Sequence, residues 1–232
     1  IAEEVYIRGS EVFDYSIIKS REAYVLDLSG PVGYAAIAAP SVLSFDACIR
    51  GRAAHAGFSP ELGINAIKLA AEAIAQIRQG RTDENTTVNI GMIEGGKARN
   101  IVSDECLIKG EVRSLSHEKA EAEIRNIKNT FASVAEKYEA KLSFTTDIGC
   151  LAYRIDAGHP VVENFLAACK ELGYESRLID TFGGSDNNNF VKHGISGIVM
   201  ACGMNKVHSC SEYTHVDELV RCCNIVIKLL TI

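Results

Sequence analysis

SFDACIRGRAAHAGFSPELGINAIKLAAEAIAQIR, residues 44–78, decides how this chain is built. Ser44 to Gly51 has a strand pattern, Arg52-Ala53-Ala54-His55-Ala56-Gly57 interrupts it, and Asn65 to Arg78 carries apolar residues at helical spacing. Further along, Thr86 to Ile93 reads as a strand closed by Gly95-Gly96 and Ile101 to Val112 as its partner. Ser116 to Tyr138 reads as a long amphipathic helix and Lys141 to Thr146 as a last strand. The order β-α-β-β-α-β predicts a ferredoxin-like sandwich, a four-stranded antiparallel sheet with two helices on one face, filling about a hundred residues.

The flanks read as α/β. Ala23 to Leu28 is a short apolar run stopped by Ser29-Gly30-Pro31, as expected of a buried strand that delivers Asp27 to its end, where functional groups gather. Val161 to Leu172 is helical, Ser176 to Asp180 extended, Ile195 to Ala201 a buried strand and Asp217 to Leu230 a closing helix. If the flanks fold together, the ferredoxin-like part is inserted in them. The expected division is 1–46 with 149–232 for one domain and 47–148 for the other. No internal repeat and no low-complexity tract interrupts this reading.

At 232 residues the chain can bury a core for one large or two small domains. A net charge of -6 without a Lys/Arg cluster argues against a nucleic-acid partner, whose phosphates need a basic face. No apolar run approaches the ~20 residues of a membrane span, and no charged-then-apolar leader opens the chain, so it reads as soluble with no membrane partner. The eight cysteines are scattered, with no CxxC and only Cys222-Cys223 adjacent. That excludes a zinc ribbon and a secreted disulfide framework, and implies reduced thiols and a cytoplasmic location. Cys48, Cys106 and Cys202 sit in apolar runs as small core residues, whereas Cys210 falls in a loop two residues after His208.

The chemistry is concentrated in three stretches: Ala2-Glu3-Glu4, Leu26-Asp27 and Val207-His208-Ser209-Cys210-Ser211-Glu212. Borderline dications take imidazole nitrogen and carboxylate oxygen, and a carboxylate left unligated beside them can deprotonate water. Adjacent Glu3 and Glu4 could divide those two jobs, because neighbours in extended chain point different ways; a Glu-Glu pair also reads as solvated surface. A hydrolytic zinc site is the leading hypothesis. For a substrate carboxylate the candidates are Arg113, on a strand, and the Gly183-Gly184-Ser185-Asp186 loop, whose amides could form an anion nest. Arg113 reads equally as a surface residue, and Ser185 or Asp186 as an ordinary helix cap. His55 alone reads as a packed or half-exposed residue, and Asn100 as a turn residue. His117, His159 and His193 fall at helix starts or ends and read as surface residues without a partner.

Taken jointly, Glu3-Glu4, YVLDLSGPVG around Asp27, GRAAHAGFSPELGINAI around His55, GGKARNIVSDE around Asn100, GGSDNNNF from Gly183 and VHSCSEY around His208 resemble the M20 metallopeptidases. The resemblance runs the length of the chain and is strongest to the peptidase T-like (tripeptide aminopeptidase) branch. It implies that Glu3 is the general base, Glu4 a ligand of one zinc, Asp27 a ligand of the other, and His208 the last ligand, on Glu4's zinc. It further implies that His55, in a lid or dimerisation domain, donates to the oxyanion, commonly in the partner subunit's site, and that Asn100 contacts substrate.

In such enzymes an H-x-D histidine and an aspartate bridging both metals precede the Glu-Glu pair. Neither is in this sequence, and His215-Val216-Asp217 follows His208, so it is read as coincidence. The chain, opening without methionine inside a motif, reads as part of a longer protein. Without the bridging carboxylate it is expected to bind metal poorly, to have little or no activity alone, and to expose a sticky sheet edge. The expected function of the complete protein is zinc-assisted hydrolysis of small peptides, with two zinc ions per site and a homodimer formed through the lid. The alternatives are a dimerising module without catalysis, a small-molecule binder, and an N-acyl amino acid deacylase.

Overall fold

A computed structural model describes residues 7–231. Glu3 and Glu4 lie outside the described residues. The chain forms two compact units, one of residues 7–40 with 150–231 and one of Ser41–Gly149. The first begins with a single helical turn, α1 (Arg8–Glu11), followed by β1 (Glu22–Ser29) and β2 (Tyr34–Ala39). The second contains β3 (Ser41–Arg50), α2 (Ala66–Gln76), β4 (Gly80–Asp83), β5 (Thr86–Gly95), β6 (Glu105–Ser114), α3 (His117–Lys137) and β7 (Lys141–Cys150). The chain then returns to the first unit with β8 (Tyr153–Arg154), α4 (Pro160–Glu171), β9 (Arg177–Asp180), α5 (Asp186–Lys192), β10 (Ser196–Met204) and α6 (Val216–Leu229).

The Ser41–Gly149 unit has the expected mixed α/β architecture with one strand more than expected. Its sheet runs β4-β5-β6-β3-β7, with β4/β5, β5/β6 and β6/β3 antiparallel. The unforeseen strand β4, Gly80-Arg81-Thr82-Asp83, contains no apolar residue. It exists because Glu84-Asn85 turns it back onto the start of β5, the Asn85 amide donating to Asp83 Oδ1 at 2.7 Å. The strand expected from Ile101 starts only at Glu105, opposite Arg50; Ile101 itself makes an isolated bridge to His55.

Asn65 starts α2 by accepting the amides of Ile67 and Lys68, and Ser116 starts α3 by accepting that of Lys119. Buried Ala66, Leu69, Ala70 and Ala73 on α2, and Ala120, Ile124, Ile127, Phe131 and Val134 on α3, lie at helical spacing. They close over Phe45, Ile49, Ile108 and Val112 of the sheet. His117 is not partnerless as expected: Ser41 Oγ lies 3.0 Å from its Nδ1.

In the other unit β1 lies parallel to β10, β10 antiparallel to β2, and β2 pairs both β8 and β9. β1 is an end strand of this sheet among the described residues. The central strand β2 was not foreseen, because Tyr-Ala-Ala-Ile-Ala-Ala shows no apolar-polar alternation. Its alanines 35, 36, 38 and 39 are all buried, as a strand covered on both faces requires. α4 and α6 pack Val161, Val162, Phe165, Cys169, Cys222 and Ile225 against Ile198 and Met200 of β10. Fully burying a side chain such as Phe165 contributes about 2–3 kcal/mol.

The short helix α5 carries three successive buried asparagines, each tied to a different element. Asn187 Nδ2 donates to Gly197 O at 2.8 Å, Asn188 Nδ2 to Leu151 O at 2.8 Å and Pro40 O at 3.3 Å, and Asn189 Nδ2 to Ser10 Oγ at 2.8 Å. His193, at the end of α5, stacks on Tyr15 at 4.0 Å rather than standing alone. Among the described residues no helix is long and apolar enough to cross a membrane. Of the eight free cysteines Cys106 is buried as expected, whereas Cys48 and Cys202 are only half-buried and Cys210 is exposed.

Candidate active site

Asp27 sits on an irregular stretch of β1. Val25 pairs with Val199 and Leu28 with Ala201, so three steps on β1 match two on β10. That bulge breaks the alternation of side chains, leaving Leu26 and Asp27 both exposed while Leu28 turns into the core. The half-buried Cys202 lies beside it on β10, its Sγ donating to Leu26 O at 3.7 Å. Burial, then the Asp27 charge, pushes the Cys202 thiol up, so it stays protonated beside the carboxylate.

His208 lies in a loop tied off at its base, where Asn205 and Tyr213 exchange two backbone hydrogen bonds of 3.0 and 3.1 Å. Inside it Ser209 Oγ donates to Lys206 O at 2.6 Å and the Glu212 amide to Ser209 O at 3.1 Å. The loop folds this tightly by putting Lys206 and His208 at φ 52° and 60°, left-handed values that cost a residue with a Cβ on the order of 1 kcal/mol or more.

The two elements meet at one cleft of about 450 Å³, lined by Asp27, Leu28, Ser29, Thr181, Gly183, Gly184, Met204, Val207, His208 and Glu212. Its size suits a small-molecule site. Glu212 belongs to the stretch that the sequence had marked for its metal-ligand residue types, although no role was given to it there; Thr181 carried no such signal. No group of three or more His, Cys, Asp or Glu side chains able to hold a metal ion occurs among the described residues. Three side chains of suitable donor type line the cleft, Asp27, His208 and Glu212, without forming a ready cage, and the further expected ligand, Glu4, lies outside the described residues. The described part therefore fits one portion of a metal cage.

The Gly183-Gly184-Ser185 loop does not supply the expected row of open amides. The Gly183 amide donates to Thr181 Oγ1 at 3.1 Å and the Ser185 amide to Asn188 Oδ1 at 3.0 Å. Ser185 is the N-cap of α5, and with Asn188 it forms a capping box behind the cleft wall. Gly183 and Gly184 remain as wall residues.

His55, Asn100 and Arg113 belong to the other unit. His55 Nδ1 accepts the amides of Gly57 and Phe58, both at 3.1 Å, and its exposed ring stacks on Phe58 at 4.2 Å. With Nδ1 an acceptor, the neutral ring carries its proton on Nε2 and presents a donor outward. Asn100 stands next to it in the fold: its carbonyl accepts the Ala56 amide at 2.9 Å, and its turn closes through Ile101 N to Ala98 O at 3.3 Å. Half-buried Arg113 is held by Glu111 through Nε at 2.7 Å and an Nη at 3.3 Å, so its guanidinium already faces a carboxylate.

Residues 37–139 match the peptidase dimerisation domain of M20 peptidases. The chain is 36% identical over 230 residues to the uncharacterized protein YqjE of Bacillus subtilis, covering 99% of this chain and 62% of that protein. It superposes on the crystal structure of aminopeptidase PepT from Bacillus cereus with a TM-score of 0.93 at 36% identity. On a tripeptidase from Staphylococcus aureus the TM-score is 0.96 at 29% identity. Each alignment covers 99% of this chain and 61% of the other. The chain is an M20 peptidase-like protein. Within that class it is peptidase T-like, and it spans about three fifths of the length of these relatives.

Proposed function

We propose that the complete protein hydrolyses small peptides at the Asp27–His208 cleft with the help of bound divalent metal, zinc in the first instance. The observation that carries this is the meeting of Asp27 and His208 in one cleft, although they come from a bulged strand and a strained loop at opposite ends of the chain. When bound, a dication supplies positive charge that polarises the scissile carbonyl and acidifies water. Glu4 and His208 would hold one such ion and Asp27 a second. Glu3 takes the proton from the attacking water and returns it to the departing amine. His55 serves as oxyanion donor through Nε2–H, the tautomer that its two Nδ1 contacts select. Asn100 takes part in holding the peptide, and Arg113 does so only by exchanging Glu111 for the substrate carboxylate.

The protein works as a homodimer formed through the Ser41–Gly149 unit, in a reducing cytoplasm that suits its free thiols. The residues described here by themselves are expected to be inactive, because they offer too few metal donors. The reading is tested by elemental analysis together with a tripeptide hydrolysis assay on the complete protein, its Asp27→Asn variant and its Glu3→Gln variant. Loss of metal and turnover in the first, and of turnover alone in the second, is expected. Turnover unchanged in Glu3→Gln would sink the base assignment.

A second reading is that the chain is a dimerising module without catalysis. Exposed Met92, Ile93 and Phe58 on the Ser41–Gly149 unit favour a protein contact there. It predicts dimers whose mass is indifferent to chelators and a complete protein without peptidase activity.

A further inference from the structure

We propose that Asn188 is a positioning residue that ties the Gly183-Gly184 wall of the cleft to both places where the chain passes between its units. The chain leaves one unit at Pro40/Ser41 and returns at Gly149/Cys150. One carboxamide reaches both crossings, Nδ2 donating to Pro40 O at 3.3 Å and to Leu151 O at 2.8 Å. Its oxygen accepts the Ser185 amide, next to Gly184, at 3.0 Å. Both N–H groups are thus committed, and at 2% exposure little water competes for them.

A second contact joins the same parts independently. Cys150 Sγ donates to Pro40 O at 3.5 Å, and a Cβ on Gly184 would stand only 3.1 Å from that sulfur. The wall and the returning crossing are therefore packed together as well as hydrogen-bonded. A shift of either crossing pulls on Asn188 and through it on Ser185, and a shift of the wall presses back on Cys150. Such coupling is reciprocal by thermodynamic necessity.

Only its consequence for turnover rests on the proposed peptidase reading. The test is amide hydrogen exchange on the complete protein, which needs no activity. Asn188→Asp keeps an oxygen for the Ser185 amide and removes both donors to the crossings. A residue that merely capped α5 would leave Ser185 as protected as before. The clamp predicts that the Gly183 and Ser185 amides exchange on the order of tenfold faster, together with those of residues 150–153, while amides of α3 keep their rates. Unchanged protection at Gly183 and Ser185 beside faster crossings overturns it.

Gly184→Ala tests the reverse direction, and carries the test if Asn188→Asp does not fold. The added methyl presses on Cys150, and faster exchange at residues 150–153 is expected; an unaltered crossing overturns the proposal. A tripeptide assay on the same proteins is expected to give a lower kcat in Asn188→Asp at unchanged metal content. A wild type without peptidase activity speaks against the proposed function and leaves the exchange result standing.

Discussion

The Val32 amide donates to the Glu218 carboxylate at 2.6 Å, fastening the turn after β1 to the closing helix α6. Glu218 is steadied by Arg221 at 3.0 Å, and Gly203, at φ +81°, leaves room for it: a Cβ there would stand 2.5 Å from Glu218 Cβ. That turn also exchanges backbone hydrogen bonds with the end of β10 through Gly30, Gly203 and Met204, so one carboxylate secures the strand that presents Asp27.

Glu218→Ala should therefore cost about 2 kcal/mol, the range for a hydrogen bond to a charged acceptor whose buried donor is left unpaired. Glu218→Gln, which can still accept, should cost roughly half. Urea unfolding midpoints measure both. Equal midpoints for wild type and Glu218→Ala would show that water replaces the carboxylate.

Two glycines separate backbone strain from collision. Gly173 adopts φ +71° with open space around its missing Cβ, so Gly173→Ala should cost about 1 kcal/mol. Gly33 adopts φ +111°, and a Cβ there would stand 2.1 Å from Glu175 O. Gly33→Ala must push apart the turn and the segment leading into β9, and about 3 kcal/mol or more is expected. The difference between their thermal midpoints is the measurement.

Burial pushes the Tyr153 phenol up to about 12 and the Cys169 thiol up to about 11. Both are acids raised above their unfolded values near 10 and 9, so folding favours their neutral forms. Their contribution is complete below about pH 9 and is lost as pH rises through 9–11 for Cys169 and 10–12 for Tyr153. The Tyr153 hydroxyl is buried without a hydrogen bond of good geometry. Tyr153→Phe should thus cost less than about 1 kcal/mol at pH 7 and should flatten the upper part of the alkaline fall in stability. A steeper fall in the variant would contradict the burial explanation.

His55 and its stacking neighbour should differ in degree. His55→Ala in the complete protein should lower kcat on the order of a hundredfold or more at unchanged metal content, as loss of an oxyanion donor does. Phe58→Ala should cost less, because the two amides on Nδ1 still orient the ring. Lower metal content in His55→Ala would mean that His55 is not the donor.

Metal that binds only the folded protein must stabilise it. Zinc at a hundred times its dissociation constant should add about 2.7 kcal/mol to the complete protein, and chelation should remove it. In His208→Ala the zinc-dependent rise in the thermal midpoint should shrink or vanish. An undiminished rise would place the metal elsewhere.

Whatever rests on period and on neighbours along the chain could be read from residue order. Helical spacing fixed α2, α3, α4 and α6 to within a few residues, and short apolar runs bounded by turn residues fixed β1, β3 and β10. Asp27 and His208 could be singled out as candidates because their residue types suit a dication and the flanking motifs resemble a known family, and the fold brings both to one cleft.

Features that depend on residues far apart in the chain emerged with the fold. β4 has no apolar pattern and is a strand because β5 is beside it; β2 is a strand of alanines because both its faces are covered. His117 and His193 looked solitary until the fold brought Ser41 and Tyr15 to them. The Ser185 amide, open to an anion in the sequence reading, is taken by Asn188, and Asn188 reaches across the fold to Pro40 and Leu151. Hydrogen bonds and close packing act over a few ångströms of space. A pattern of neighbours along the chain carries no record of which distant residue will fill that space.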